Sequence, residues 1–110
     1  MKPILIVCPY LPANGMAICP FIFVKSKILA NHSVLINHEK IHIKQQLELL
    51  ILPFYIAYLL HYVINLIIYQ NHQKAYLAIV FEKEAYAKDK NLNYLEERPI
   101  FSWISFFKAK

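Results

Sequence analysis

His38-Glu39-Lys40-Ile41-His42 is the stretch of this chain best equipped to do chemistry: two histidines four apart, with a glutamate directly after the first. On a helix, positions four apart share a face, one turn above the other. Two imidazoles placed this way can reach one metal ion. The neighbouring carboxylate lies beside that ion and can take a proton from a water bound there. A hydrolytic zinc centre of this kind needs three protein ligands and one open position. The third ligand must come from elsewhere in the chain, and the later segments offer His61, His72, Glu82, Glu84 and Asp89.

The elements that must position these groups read as one α+β domain, mostly helical, with an N-terminal β-hairpin on three main helices and a short C-terminal helix. The hairpin occupies 1–27. Its apolar arms, 4–13 and 16–25, flank Asn14-Gly15, a favoured two-residue hairpin turn. Pro9, Pro12 and Pro20 confine those arms to irregular or edge strands, because proline donates nothing to a ladder. Residues 26–32 form a connection, and Asn31 or Ser33 can cap the helix of 33–52 that carries the histidines. Gln45 and Glu48 are assigned to its exposed face. Pro53 ends this helix and opens the next. That second helix, 53–70, is apolar except for a stripe of Tyr58, His61, Tyr62, Asn65 and Tyr69 at steps of three and four. It is expected to be buried against the first, with the stripe as a satisfied polar seam. After a polar turn at 70–74, a third helix over 75–97 carries Glu82 and Glu84 until Pro99 stops it, and 100–108 forms an aromatic C-terminal helix.

A His-Glu-x-x-His helix followed by Glu82-Lys83-Glu84-Ala85-Tyr86 on a later helix resembles the gluzincin zinc metallopeptidases, in the compact minigluzincin form. The resemblance covers roughly residues 33–90. It implies a minimal zincin-like fold, one zinc ion, and peptide-bond hydrolysis. Carried over, His38, His42 and Glu82 are the metal ligands and Glu39 is the general base. Ala85 is the small residue that lets two helices approach. Tyr86 stands where the family has an aspartate supporting a ligand histidine, so it becomes the candidate for that supporting place; either Tyr86 or a tyrosine of the Tyr58 stripe is the candidate for stabilising a tetrahedral intermediate. Glu84 is the alternative ligand. Two positions apart on a helix, Glu82 and Glu84 point to different sides, so only one of them can face the metal. The implied substrate is a peptide or protein lying extended beside an edge of the hairpin.

Composition narrows the rest. Of 110 residues, 58% are apolar and 17% charged, with a net charge of +5. A single glycine excludes glycine-rich phosphate loops. The lysines are scattered rather than clustered, which disfavours a nucleic-acid partner. Cys8 and Cys19 lack a CxxC spacing and read as buried reduced thiols rather than a disulfide or metal ligands. Pro3, Pro9 and Pro12 interrupt the apolar start, so no secretory signal is read and a cytoplasmic location is expected. Residues 49–69 hold no formal charge and are long enough to span a bilayer. A single span would, however, put the histidines and Glu82 on opposite sides of about 30 Å of hydrocarbon. The membrane reading is therefore peripheral attachment to the inner face, through the Trp103 region. The rival to a peptidase is a non-enzymatic membrane-associated or interaction protein, or a zincin-like fold that has lost catalysis.

Overall fold

The computed structural model describes residues 3–107. The architecture is α+β: a small sheet followed by helices, as the sequence implies. The strands are β1 (Ile4–Val7), β2 (Gly15–Ile18) and β3 (Phe21–Val24), in the order β1-β3-β2. The tight connection joins β2 to β3 through Cys19-Pro20, and β1 pairs parallel with β3. The hairpin turn expected at Asn14-Gly15 is therefore corrected. Those residues already belong to the ladder: Asn14 O accepts from Lys25 N, and Gly15 pairs with Val24. The long arm expected over 4–13 stops at Val7, ahead of Pro9 and Pro12. Residues 1–2 of the expected hairpin lie outside the described residues. Along β3 the alternation is regular: Ile22 and Val24 are buried on the helix side with Ala17 and Ile43.

Two helices follow: α1 (Lys27–Ala30) and α2 (Ser33–Glu48). The cap of α2 is His32, whose Nδ1 accepts from Leu35 N, rather than Asn31 or Ser33. The helix ends at Glu48, short of 52, because Leu50 and Ile51 adopt positive φ of 61° and 56°. Pro53 then sits in the first turn of α3 (Leu52–Tyr69), where its missing N–H costs nothing.

The helix expected over 75–97 is three pieces: α4 (His72–Leu77), α5 (Val80–Lys88) and α6 (Tyr94–Glu97). The break at Ile79 is tertiary in origin. Ile79 is extended, and the Val80 N–H it frees donates to His61 Nδ1 of α3 at 3.0 Å. The tail of 100–108 is a 3₁₀ segment over Ser102–Phe107, not an α-helix, and residue 108 lies outside the described residues.

The expectation of a buried second helix is also corrected. Within α3 only Phe54 and Asn65 are buried, and its aliphatic side faces outward. All of the polar stripe but the exposed Tyr69 faces the protein and is satisfied there. Tyr58 Oη donates to Glu82, His61 accepts from Val80 N, Tyr62 pairs with His72, and Asn65 Nδ2 donates to Ala75 O. Between α2 and α5, Ile41 and Ala85 are both fully buried in one cluster with Tyr94. The small Ala85 side chain permits the close approach that brings Glu82 to the histidines.

Candidate metal centre

His38 and His42, one turn apart on α2, present their Nε2 atoms to the same oxygen of α5. His38 Nε2 lies 3.1 Å from Glu82 Oε1, and His42 Nε2 lies 3.0 Å from it. All three side chains are buried, and one ligand atom from each falls within 4.8 Å of the others. A buried group of this kind could hold a metal ion.

The outer partners sharpen that statement. Asp89 Oδ2 lies 3.1 Å from His38 Nδ1. An ionised carboxylate only accepts, so Nδ1 carries the hydrogen. His42 Nδ1 lies 2.8 Å from Gln45 Oε1. The Gln45 amide nitrogen donates to Phe81 O at 3.1 Å and to Glu84 Oε1 at 2.9 Å, so its oxygen is the end that faces His42. Both Nδ1 atoms therefore donate outward, and the neutral rings turn their Nε2 lone pairs toward Glu82. Two lone pairs and a carboxylate oxygen repel one another unless a cation lies among them. Either added protons or a metal ion balances the site, and the fixed Nδ1–H tautomer is the one a ligating histidine uses.

Charge follows the same logic. Burial works against a charged His42, but Glu82 outweighs it and raises His42 to about 9. Burial likewise opposes the charge on Glu82, yet His42, His38 and the Tyr58 hydroxyl hold its carboxyl well below the usual range. Tyr58 donates to the second oxygen, Oε2, at 2.5 Å, which leaves Oε1 for the histidines. At neutral pH His42 is thus expected to hold a proton, which a metal binding there would displace. Metal uptake at pH 7 is expected to release about one proton per ion. Calorimetric heats compared in buffers of different ionisation enthalpy measure this, and uptake without release would mean a neutral His42 in the metal-free chain.

Glu39 is buried on the cleft side of the cluster. Burial pushes its carboxyl up, while the charges of His42 and His38 pull it back. The chain's one glycine lies against it: a Cβ on Gly15 would stand 3.1 Å from Glu39 Oε2 and 3.1 Å from Leu35 Cδ1. Gly15 is there for close approach of the β2 backbone to this carboxylate. Between β2 and α3 runs a cleft of about 320 Å³ with His38, Glu39, His42 and Glu82 at its base.

Not every expected residue arrives at the site. Glu84, the alternative ligand, is turned away and held by Arg98, Tyr94 and Gln45. Tyr86 does not take the supporting place: its ring packs edge-on against His38 with centroids 4.5 Å apart, and its hydroxyl pairs with Tyr76. Asp89 supplies the supporting carboxylate instead, seven residues after Glu82 and on the same helical side. His61 and His72 serve the α3 seam. Gln45 and Glu48 are not on a solvated face. Gln45 is fully buried, and Glu48 binds the Arg98 guanidinium at 2.7 and 3.0 Å. Tyr58, one of the stripe tyrosines, lines the cleft, and so does Tyr76, which no spacing in the sequence singles out. Cys8 and Cys19 are free, as expected, but half-buried rather than buried.

No family model matches this chain, and neither curated proteins nor solved structures show a significant similarity to it.

Proposed function

We propose that the chain is a small zinc-dependent metallopeptidase of the gluzincin kind, with His38, His42 and Glu82 as ligands and Glu39 as general base. The observation that carries the reading is the convergence of one carboxylate oxygen and two Nε2 atoms, the imidazole tautomers being set from behind by Asp89 and Gln45, beside a second buried carboxylate that is not a ligand. An N₂O donor set with a position open to a cleft suits zinc in a catalytic role. When bound, zinc would polarise a substrate carbonyl and lower the pKa of water beside it.

The protein groups do the rest. Glu39 takes the proton of the attacking water and returns it to the leaving amine. Burial and the carboxylates of Glu82 and Glu39 push the Tyr76 phenol up, so it stays protonated and able to donate to a developing oxyanion. β2 is an edge strand along the cleft. Its Ala17 carbonyl already accepts from Gln46 Nε2 at 2.8 Å and Tyr55 Oη at 2.7 Å. Gly15 has the same side of the ladder, so an extended peptide would pair with the Gly15 main chain beside Glu39.

The test is hydrolysis of an unstructured casein-type substrate by chelator-treated protein, with and without one equivalent of zinc. Zinc-restored cleavage supports the reading. Stoichiometric zinc with no cleavage of any peptide in a degenerate library would leave a metal-binding fold without catalysis.

Gly15→Ala separates base from ligands. The added methyl group presses on Glu39 and not on the imidazoles. Turnover is expected to fall about tenfold, since small displacements of a reacting group are costly. Zinc affinity should stay unchanged in a parallel titration. An unaltered kcat would argue against Glu39 acting where Gly15 leaves room for it.

A further inference from the structure

Helix α3 is built inside out. Its hydrogen-bonding residues face the protein, where Tyr58, His61 and Asn65 each find an internal partner. Its aliphatic residues face away. Ile56, Leu59, Leu60, Val63, Ile64, Ile67 and Ile68 are all exposed, Leu59 to 61% and Ile67 to 69%. At about 100° per residue, the exposed positions from Leu66 round to Ile68 sweep roughly 200° of the helix. A surface helix in water does the opposite, turning its apolar stripe to the core.

We infer that this arc docks on an anionic lipid bilayer, with α3 lying along the membrane surface and its aliphatic side in the apolar layer. Four features favour lipid as the occupant. No Asp, Glu, Lys or Arg interrupts residues 49–69, while the whole chain carries +5, so an uncharged contact face belongs to a cationic molecule. That pairing matches anionic headgroups around an apolar layer. The arc is too wide for one flat protein partner, whereas fluid hydrocarbon wraps a convex surface. The apolar face also continues past the helix: Phe107 of the 3₁₀ segment packs on His61 with centroids 5.6 Å apart, and Ile104 and Phe107 are exposed beside it. Finally, polar groups facing the protein interior, each with a partner, are what a lipid-contacting helix requires. The chain folds back after Tyr69 through α4, and Glu82 reaches the histidines, so a simple transmembrane crossing by α3 is not needed.

The inference does not depend on the metal or on catalysis. The experiment is flotation of the full chain with phosphatidylcholine vesicles, with and without one third phosphatidylglycerol. The chain is expected to float with the anionic vesicles. Leu59→Glu combined with Ile67→Glu should lower the bound fraction about tenfold or more. Both positions are exposed, and retained helical circular dichroism shows that the variant is folded. Failure of the native chain to float with either vesicle overturns the inference. So does equal flotation of the native and variant chains. A vesicle-independent dimer, broken by the same substitutions, would also overturn it in favour of a second copy. Zinc binding is read separately, so either reading can fail alone.

Discussion

Arg98→Met is expected to cost about 3–5 kcal/mol of folding stability, the range for a buried ion pair that loses one partner. The Arg98 side chain is fully buried and bridges two carboxylates. Nε and Nη2 bind Glu84, the latter at 3.0 Å, while Nη1 and Nη2 bind Glu48 at 2.7 and 3.0 Å. Tyr94 Oη adds 2.6 Å to Glu84, and Phe101 N adds 2.7 Å to Glu48. Without the guanidinium, two carboxylates face each other away from water. The loss is read as a shift in urea midpoint. Adding Glu48→Gln and Glu84→Gln to Arg98→Met removes the stranded charges and should recover a good part of it. A midpoint change worth less than about 1 kcal/mol would mean the network behaves as a solvated surface pair.

Acid should reveal the same network. Burial opposes ionisation of Glu84, but hydrogen bonds from Arg98, Tyr94 and Gln45 outweigh it and hold its carboxyl below the usual range. A carboxyl depressed in the folded state contributes stability that is complete above its unfolded pKa of about 4.3. That contribution disappears as pH falls through the folded value. Native protein should thus lose stability below about pH 4, and Arg98→Met should show a shallower acid limb.

The second large effect is on turnover. Glu39→Gln should lower kcat by about 10²- to 10⁴-fold while zinc still binds, because the amide cannot accept a proton but keeps the shape. Glu39 is raised by burial, and the neighbouring His42 and His38 restrain that rise without cancelling it. The rate of the native protein is expected to rise with pH as Glu39 ionises. A variant that holds zinc and keeps full hydrolysis would remove Glu39 from the mechanism.

Local spacing exposed part of this site in the sequence and long-range packing supplied the remainder. The i, i+4 histidines and adjacent Glu39 are legible because one helical turn determines their relation. Glu82 came from a pattern on a later helix, and Glu82 and Glu84 were separable in principle because positions two apart diverge. Both are buried, and Arg98 holds Glu84 away from the histidines, with partners 14 and 50 residues away. Asp89 could have been found from its seven-residue spacing to Glu82, two turns along one face. The break at Ile79 carries no glycine or proline signal; it exists because His61 accepts the Val80 N–H. The α3 stripe was visible, but periodicity alone does not say which side of a helix meets the protein. The parallel pairing of β1 with β3 is likewise non-local, so Asn14-Gly15 looked like a turn while serving as the start of an edge strand.

The central claim is tested most directly by measuring zinc content per chain after dialysis, for the native protein and for Glu82→Ala. One ion per native chain and none in the variant is the predicted result. Equal zinc in both, or none in the native chain, would contradict a metal centre formed by His38, His42 and Glu82.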